Sequence, residues 1–533
     1  MPLLSVSGLT IGLPSYGDRP EATQDVSFDI RAGETLCLVG ESGSGKSVIG
    51  QAILGMLPAS LPVLSGGISF AGTPMPAQRD AAFGDIRSRQ IAMIFQDAAA
   101  SLNPVRTIGA QLQEILAVHG VEKRARRPRV LEVLRDVALP EPERIARSYP
   151  HQLSGGQAQR AVIAAALLLE PNLLIADEPT TALDVTTQAE ILALIARLKA
   201  EHGLAVLFIT HDFGVVAEIA DRVAVMKDGV QVENGDAARV LGQPQHPYTQ
   251  QLIAAVTPAP RGAEQSSDKA IMTAENVNLT YRSGLFGRKA SVHAVRNVSF
   301  EIGQGRTVAV VGESGSGKSS LARSLLRLED IDSGSIRFRG EEISALKGSA
   351  LRTLRRSMQV VLQDPYSALN PRQTILSAIA EGPIIHGVPR AEAREKAAEM
   401  IELVGLSVQS GGRYPQEFSG GQRQRICIAR ALALEPDLLI ADEAVSALDV
   451  SIQAQILDLF ADMQARFGFA ILFITHDLSV ARAIADDILV MRAGEIVERG
   501  PAARVFDAPA HPYTADLLAA APGLEMFQAE SAA

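Results

Sequence analysis

Short apolar runs alternate with amphipathic segments along this chain of 533 residues. Runs such as TLCLV, LLIAD and AVLFIT are almost wholly apolar and lack the polar alternation of a strand with one face in water. The segments that follow them, for example KSVIGQAILGML, have the spacing of a helix with one apolar face. Apolar strands separated by helices are typical of a mainly parallel sheet covered on both faces. The pattern predicts an α/β fold.

The same pattern occurs twice. VGESGSGKS is identical at 39–47 and 311–319, so that Lys46 returns as Lys318 with an offset of 318 − 46 = 272. LSGGQ returns as FSGGQ with an offset of 418 − 153 = 265, and LLIADE, THD and HPYT keep that offset. The constant spacing after SGGQ predicts a rigid core, and the difference of seven residues before it predicts variable loops in a peripheral subdomain.

The repeat predicts two domains, 1–256 and 271–526. The segment between them, 257–270, contains TPAPRGAEQSSDK and is predicted to be a flexible linker because Pro, Ser and charged residues dominate it. The last residues, 527–533, are predicted to be a disordered tail.

Composition and charge narrow the class of protein. No apolar stretch reaches the roughly 18 residues that span a bilayer, and the N-terminus lacks the features of a signal peptide. The net charge of −10 weighs against nucleic acid as a partner, and the basic run KRARRPR at 123–129 is interpreted as a solvated helix and turn. Cys37 and Cys427 lie in apolar runs, which favours buried structural thiols over a disulfide, zinc site or iron–sulfur cluster.

Each glycine loop matches the phosphate-binding pattern GxxxxGK[ST]. Glycines let successive N–H groups point at phosphate oxygens, the lysine neutralises the β- and γ-phosphates, and the serine hydroxyl reaches Mg²⁺. An apolar strand precedes each loop and a helical pattern follows it, as this motif requires. The predicted ATP-binding residues are Gly40, Ser42, Gly43, Ser44, Gly45, Lys46 and Ser47 in the first loop, and Gly312, Ser314, Gly315, Ser316, Gly317, Lys318 and Ser319 in the second.

Two further motifs accompany each loop. LLIADE ends a buried strand in two carboxylates, which is costly unless they meet a cation. Asp177 and Asp442 are therefore predicted to bind Mg²⁺ and Glu178 and Glu443 to act as general bases, the alternative being a solvated strand end. SGGQ precedes a helix, and it is either a helix cap or an anion-binding helix end. Its residues are Ser154, Gly155, Gly156 and Gln157, and Ser419, Gly420, Gly421 and Gln422.

In order, the P-loop, a Gln after a strand, SGGQ, LLIADE, TALD or SALD, and THD resemble the complete motif set of the ABC ATPases, over nearly the whole chain and twice. The resemblance implies P-loop NTPase domains with a helical subdomain, packed head to tail, with each ATP between one copy's loop and the other copy's SGGQ helix. It also implies that His211 and His476 sense the γ-phosphate. Because both copies keep these residues, we expect two competent sites.

The resemblance assigns the site residues by position. The first site would combine Lys46, Ser47, Gln96, Asp177, Glu178 and His211 with Ser419, Gly420, Gly421 and Asp449. The second would combine Lys318, Ser319, Gln363, Asp442, Glu443 and His476 with Ser154, Gly155, Gly156 and Asp184. The expected Mg²⁺ ligands are Ser47, Gln96, Asp177, Ser319, Gln363 and Asp442. Tyr281 fits the family's adenine-stacking position, where the first copy has Leu13 with Tyr16 nearby, so we expect weaker adenine binding at the first site.

The segments FQDAAASLNP, LQDPYSALNP and HPYT resemble the dipeptide, oligopeptide and nickel branch of importer ATPases. A single fused chain is similar to the subunit for peptide and microcin C uptake, with glutathione importers a further possibility. This implies a peripheral protein on the cytoplasmic face of the inner membrane, with two integral membrane permeases and, indirectly, a solute-binding protein as partners. Members of the branch often hold an iron–sulfur cluster on cysteines after the extension. This chain has none there, so we expect ATP and Mg²⁺ but no cluster.

The alternative is a soluble, non-transport ABC ATPase that acts on ribosomes or DNA. Ribosome-acting members usually have a long charged linker, and the DNA-repair type carries zinc-binding cysteines. The short linker, the acidic net charge and the two isolated cysteines all favour a transport subunit.

Overall fold

The computed structural model describes residues 1–14, 19–76, 83–84, 86–180, 183–256, 269–283, 290–446 and 448–523. Met1–Val256 form the body of one compact unit, and the described residues after the predicted linker, as far as Ala521, form the other. Most of the predicted linker and the whole predicted tail lie outside the described residues, so the domain boundaries stay predictions. No helix in the described part of the chain is long and apolar enough to cross a membrane.

The first unit is an α/β assembly. Its strands are β1 (Leu4–Gly12), β2 (Glu21–Ile30), β3 (Thr35–Val39), β4 (Val63–Phe70), β5 (Thr73–Met75), β6 (Ile91–Ile94), β7 (Leu173–Asp177), β8 (Ala205–Thr210), β9 (Arg222–Lys227) and β10 (Val230–Asp236). Its α-helices are α1 (Lys46–Ile53), α2 (Ala98–Ser101), α3 (Ile108–Val118), α4 (Lys123–Asp136), α5 (Pro142–Arg147), α6 (Gly155–Leu167), α7 (Val185–His202), α8 (Phe213–Ile219), α9 (Ala237–Gly242) and α10 (Pro247–Val256). A π-helical turn covers Ile86–Gln90, and a 3₁₀ turn covers Pro150–Gln152.

The sheet of the first unit has a parallel core and an antiparallel side. Strands β9, β3, β8, β7 and β6 lie side by side in that order and are parallel, as the apolar runs predict. Strand β10 pairs antiparallel with β9. A further antiparallel group, β5–β4–β1–β2, joins β10 through one bridge between Val230 and Gln24. The predicted α/β class is confirmed, whereas the antiparallel group was not predicted.

Both faces of the parallel sheet are buried. Along β3, Cys37 and Val39 belong to one hydrophobic cluster, while Leu36 and Leu38 belong to the cluster on the opposite face. Each of these four side chains is fully buried. Because successive side chains of a strand point to opposite faces, a strand covered on both sides must be apolar at every position. This explains the uninterrupted run TLCLV.

The second unit repeats the architecture. Its strands are β11 (Ala270–Ser283), β12 (Ala290–Gly303), β13 (Thr307–Val311), β14 (Ser333–Phe338), β15 (Glu341–Glu342), β16 (Met358–Val361), β17 (Leu438–Asp442), β18 (Ala470–Ile474), β19 (Asp487–Arg492) and β20 (Glu495–Pro501). Its α-helices are α11 (Lys318–Leu325), α12 (Gly348–Ser357), α13 (Pro365–Ala368), α14 (Ile375–Ile385), α15 (Arg390–Leu403), α16 (Gly420–Leu432), α17 (Val450–Phe467), α18 (Leu478–Ile484), α19 (Ala502–Asp507) and α20 (Pro512–Ala519). Tight turns cover Val408–Gly412 and Pro415–Glu417.

In the second unit the same strands form two sheets. The six-stranded sheet has the order β16–β17–β18–β13–β19–β20, and the four-stranded sheet has the order β12–β11–β14–β15. In the first unit, the bridge between Val230 and Gln24 joins the two groups of strands into one sheet of ten. In the second unit, the two groups form separate sheets of four and six strands. The arrangement of the strands around each P-loop is the same in the two copies.

The seven-residue difference between the copies lies outside the parallel core. One part falls between α5, the short helix of the first copy, and its equivalent in the second copy, the tight turn Val408–Gly412. The offset is 267 at the start of the preceding helices (390 − 123) and 265 at α6 and α16 (420 − 155). The remaining five residues lie between α1 and β6, where β4 and β5 connect to the core. Insertions there leave the strands that carry the motifs in register.

Candidate nucleotide-binding sites

The P-loops run from the end of a buried strand into a helix, and two glycines in each loop have steric reasons to be glycine. Gly40 has φ 151°, and a Cβ there would lie 2.1 Å from the carbonyl oxygen of Met226. Gly45 has φ 98°, and its Cβ would lie 2.5 Å from the carbonyl oxygen of Ala22. Such backbone angles and approaches exclude a side chain. Gly312 and Gly317 repeat these angles and close approaches in the second loop.

The P-loop lysine lies inside its own loop. Lys46 is 4% exposed, and its Nζ donates hydrogen bonds to the carbonyl oxygens of Gly40 at 2.6 Å and Glu41 at 2.8 Å. Lys318 is 5% exposed and makes the corresponding bonds at 2.7 Å and 2.9 Å. A buried ammonium group is stabilised by an anion beside it. The loop therefore presents a fixed positive charge where its curled backbone leads into the positive end of the helix.

The remaining P-loop residues form the turn itself. Gly43 and Gly315 adopt positive φ, and a Cβ would meet nothing there within 4 Å, so the backbone angle rather than packing requires glycine. Ser42, Ser44, Ser314 and Ser316 complete the loops, with Ser44 and Ser316 buried and the other two exposed.

A serine and a carboxylate meet beside each loop. Ser47 Oγ donates a hydrogen bond to Asp177 Oδ1 at 3.0 Å, and Ser319 Oγ does the same to Asp442 Oδ1 at 3.0 Å. Burial raises the pKa of both aspartates, while the serine hydrogen bond opposes this shift. A carboxylate desolvated in this way favours a cation beside it.

The serine and aspartate fit Mg²⁺. This ion is usually bound by one or two protein oxygens together with substrate phosphates and water. Within the part of the chain that the structure describes, no group of three or more His, Cys, Asp or Glu side chains could hold a metal by itself. The donor set therefore suits an ion that takes most of its ligands from a nucleotide.

In the first copy, the carboxylate of Glu178, the predicted base, contacts both the predicted histidine and the predicted glutamine. Glu178 Oε1 lies 3.1 Å from His211 Nδ1, and Glu178 Oε2 accepts a hydrogen bond from Gln96 Nε2 at 2.7 Å. Glu178 has φ 47°, and its N–H donates to the carbonyl oxygen of Ile209 on the neighbouring strand. A left-handed angle is uncommon for glutamate, and such strain clusters at functional sites.

The second copy differs at the glutamine. Glu443 also has a left-handed φ of 50°, and its Oε1 lies 3.5 Å from His476 Nδ1. Gln363 Nε2 instead donates to Ser446 Oγ at 3.4 Å, and Ser446 Oγ donates to the carbonyl oxygen of Glu443. The residue equivalent to Ser446 in the first copy, Thr181, lies outside the described residues.

In the second pair, Glu443 and His476 each favour the charged form of the other. The hydrogen bond from His476 lowers the pKa of Glu443 in spite of burial. For His476, burial acts to lower the pKa, but the hydrogen bond and charge of Glu443 outweigh it, so the pKa is raised. The glutamate is therefore ionised at neutral pH, as a proton acceptor must be.

Each SGGQ motif starts a 13-residue helix with a capping box. Ser154 Oγ accepts a hydrogen bond from the N–H of Gln157 at 3.3 Å, and Gln157 Oε1 accepts one from the N–H of Ser154 at 3.2 Å. Ser419 and Gln422 repeat these bonds at 3.3 Å and 3.0 Å. The serine and glutamine thus cap the helix, while Ser154 and Ser419 stay exposed.

The two glycines of each SGGQ motif differ in what would prevent a side chain at their position. A Cβ on Gly156 would lie 2.5 Å from Thr187 Cγ2, and one on Gly421 would lie 2.5 Å from Ile452 Cγ2. Packing against the next helix therefore explains the second glycine. A Cβ on Gly155 or Gly420 would meet only leucine methyl groups at 3.8 Å and 3.9 Å. Local packing does not explain the first glycine, which leaves its predicted role as a ligand contact.

The predicted aspartates of the TALD and SALD motifs precede long helices. Asp184 caps α7, because its Oδ1 accepts hydrogen bonds from the N–H of Thr187 and the hydroxyl of Thr186, both at 2.9 Å. Asp449 is the residue before α17. Their pairing with the loop of the other copy stays a prediction.

Strand register shows which residues of the two copies correspond at the predicted adenine-stacking position. Leu13 N–H bonds to the carbonyl oxygen of Pro20, and the equivalent pair in the second copy is Tyr281 and Val292. Leu13 is thus the counterpart of Tyr281, which is half-buried against the core. Tyr16 lies outside the described residues. The role of Tyr281 in stacking on adenine stays a prediction.

Three residues make contacts with the P-loops that were not predicted from the sequence. The guanidinium of Arg19 donates to the carbonyl oxygen of Gly43. The hydroxyls of Tyr248 and Tyr513, in the HPYT motifs, accept hydrogen bonds from the loops. The HPYT motif was visible in the sequence, but its contact with a loop 200 residues away was not.

Family models match the chain in four places. The model of the ABC transporter family matches residues 23–181 and 295–446. The model of the oligopeptide/dipeptide transporter C-terminal region matches residues 232–278 and 497–530. Each copy therefore carries a cassette followed by this extension.

Similar proteins align over nearly the full chain. The glutathione import ATP-binding protein GsiA of Pectobacterium atrosepticum is 45% identical over 98% of this chain and 89% of its own length. The peptidoglycan transport ATP-binding protein YejF of Agrobacterium fabrum is 46% identical over 99% of this chain and 98% of its own length. Among solved structures, the cassette MJ0796 bound to ADP and Pi is 28% identical, covers 43% of this chain and 98% of its own, and has a TM-score of 0.40. The chain belongs to the ABC transporter family as an ATP-binding, ATP-hydrolysing protein with two cassettes.

Proposed function

We propose that the chain energises the uptake of peptides or peptide-like solutes, of the oligopeptide, dipeptide or microcin C type, across the inner membrane. The observation that carries the proposal is the oligopeptide/dipeptide transporter C-terminal region after both cassettes. The glutathione and peptidoglycan transport relatives support it, because glutathione is a tripeptide and peptidoglycan bears peptide stems. These regions favour transport over the alternative of an ATPase that acts on ribosomes or DNA.

The proposed partners are two integral membrane permeases, with a solute-binding protein that acts through them. The chain would lie peripherally on the cytoplasmic face of the membrane and would bind Mg²⁺ with ATP, without an iron–sulfur cluster. The proposal extends what the ABC transporter family membership and the importer relatives support for such a subunit.

The proposed chemistry is hydrolysis of the terminal phosphate of ATP. Lys46 and Lys318, with the N–H groups of their loops, would bind the phosphates. Ser47, Gln96 and Asp177, and Ser319, Gln363 and Asp442, would hold Mg²⁺, which neutralises phosphate charge when bound.

The proposed proton transfer relies on the glutamates. Glu178 and Glu443 would accept the proton of the attacking water. Each carboxylate lies within 3.5 Å of the histidine nitrogen of its own copy, His211 or His476. The histidines would thus orient the base and respond to the γ-phosphate.

Each pocket is proposed to be completed by the SGGQ helix of the other copy, with Asp184 or Asp449 beside it. Two features support this part. Ser154 and Ser419 are exposed at the start of their helices, where the N–H groups and the positive helix end favour an anion. The first glycine of each motif has room for a side chain, so packing within its own unit does not account for it.

The test is purification of the tagged chain from membranes, followed by reconstitution with its co-purifying proteins in vesicles. We expect two integral membrane proteins, and ATP hydrolysis that a peptide-class solute and its binding protein stimulate. The matched control is the double variant Glu178→Gln and Glu443→Gln, which should form the same complex and bind ATP without hydrolysing it. Co-purification of ribosomes instead of permeases, or full hydrolysis by the control, would contradict the proposal.

A further inference from the structure

In both copies a tyrosine of the HPYT motif contacts the P-loop. Tyr248 OH accepts a hydrogen bond from the N–H of Glu41 at 3.3 Å, and Tyr513 OH accepts one from the N–H of Glu313 at 3.2 Å. Each glutamate directly follows the first glycine of its loop. The tyrosine is separated from it by 207 residues in the first copy and 200 in the second.

The same peptide segment is held from its other side by the lysine. Lys46 Nζ donates to the carbonyl oxygen of Glu41, and Lys318 Nζ donates to that of Glu313. The N–H of this residue therefore bonds to the tyrosine and its C=O to the lysine that is expected to bind phosphate. A change at the tyrosine hydroxyl would move the segment that positions the ammonium group.

The tyrosines are themselves fixed in place. Both are 5% exposed, and each lies in the first turn of a helix, α10 or α20. The N–H of Tyr248 donates to Nδ1 of His246, and the N–H of His246 donates to the carboxylate of Glu233. The second copy repeats the chain of bonds with Tyr513, His511 and Glu498. The histidine thus sets the start of the helix from which the tyrosine reaches the loop.

A cation lies over each ring. Lys227 Nζ is 4.7 Å from the ring centre of Tyr248, and the guanidinium carbon of Arg492 is 4.7 Å from that of Tyr513. In the sequence, each cation directly follows a strand methionine, Met226 or Met491. The carbonyl oxygen of that methionine lies so close to the first glycine of the loop that a Cβ would not fit there. The tyrosine ring is therefore packed between the extension and the strand end that shapes the loop.

We propose that Tyr248 and Tyr513 are positioning residues for the two P-loops, through which the C-terminal region of each copy sets the affinity of its own loop for ATP. A phenol hydroxyl can accept the loop N–H while keeping its ring in an apolar setting. The proposal rests on the proposed role of the loops in binding ATP, and not on the solute transported.

The test uses Tyr248→Phe and Tyr513→Phe in the full chain, because phenylalanine keeps the ring and its packing and removes only the hydroxyl. We expect the Kd for ATP at the altered loop to rise about two- to tenfold, the range for loss of the hydrogen bond to the loop N–H. The other loop and kcat at saturating ATP should change little. Labelling with a photoreactive ATP analogue, followed by mass spectrometry of each loop peptide, reads the two sites separately.

Two controls separate the outcomes. Tyr366→Phe removes the hydroxyl of a tyrosine that is 67% exposed and should leave both affinities unchanged. Lys46→Ala should abolish ATP binding at the first loop. If the unaltered chain binds no ATP, the proposed function fails. If it binds ATP and Tyr248→Phe changes neither loop, or weakens both equally, the positioning role alone is overturned.

A measurement on the unaltered chain covers the case in which a variant does not fold. Without nucleotide, the amides of Glu41 and Glu313 should exchange with deuterium more slowly than those of the exposed Gly43 and Gly315 in the same loops, because a tyrosine hydroxyl accepts each of the former. Equal exchange rates would overturn the proposal.

Discussion

At the scale of single residues, position along the chain and burial decide which side chains can react. Glu178 and Glu443 adopt left-handed backbone angles in both copies, directly after an aspartate that ends a buried strand. Repetition of this uncommon angle indicates that the backbone turn, as well as the carboxylate, is needed at this point. In contrast, Cys37 and Cys427 lie in apolar cores, where burial suppresses the reactive thiolate.

The first prediction concerns these thiols. Burial raises the pKa of Cys427 to about 11, and it raises that of Cys37 further. A thiol whose pKa is raised on folding stabilises the fold below its unfolded pKa of about 9, and this contribution is lost as the pH rises through the folded value. We expect no reaction with a thiol reagent at pH 8 in the folded chain and two reactive thiols in denaturant. Rapid reaction of the folded chain would show that one cysteine is accessible.

At the scale of elements, the SGGQ helix combines a capping box with close packing. The capping box accounts for the serine and glutamine. Contact with Thr187 or Ile452 on the next helix accounts for the second glycine. Neither accounts for the first glycine, so the proposed contact with nucleotide is the reason that remains for it, whereas the serine serves both the cap and the proposed pocket.

The second prediction separates those demands. Gly421→Ala places a Cβ against the stiff β-branched side chain of Ile452, and we expect it to destabilise the fold by about 1–3 kcal/mol. Gly420→Ala has room for its methyl group at a helical position, so the unfolding midpoint in urea should stay the same or rise while ATP hydrolysis falls. If Gly420→Ala retains full hydrolysis, Gly420 has no part in nucleotide binding.

At the scale of the whole molecule, the chain is a duplication whose two copies share one arrangement around the P-loop. The insertions lie in the segments that connect β4, β5 and the helical subdomain to the core, so every motif keeps its place. The proposed shared pockets would require two cassettes, and the duplication supplies both in one chain.

The third prediction tests those shared pockets. Ser419→Arg places a bulky cation at the start of the second copy's SGGQ helix, and we expect it to stop hydrolysis at the Lys46 loop. Ser154→Arg is the mirror-image control and should stop hydrolysis at the Lys318 loop. Trapping of labelled nucleotide, assigned to each loop by mass spectrometry, distinguishes the two. Loss confined to the loop of the same copy would contradict the shared pocket.

The sequence by itself determined the features that depend on local pattern. Apolar runs predicted the parallel strands, since burial on both faces removes polar alternation. The loop motif predicted the strand–loop–helix context and the place of the lysine within the loop. It could do so because glycine spacing and charge act over a few residues. The constant offset of 265 predicted the common core, and the motif order indicated the family.

Only the tertiary structure decided the contacts between distant segments. The antiparallel group around β1 and β2 depends on pairing across the sheet. The hydrogen-bond partner of Gln363, Ser446 rather than Glu443, depends on where packing places these side chains. The bond from Tyr248 to the P-loop joins residues 207 positions apart. Such contacts leave no periodicity in the sequence, because they form only where separate elements pack against each other.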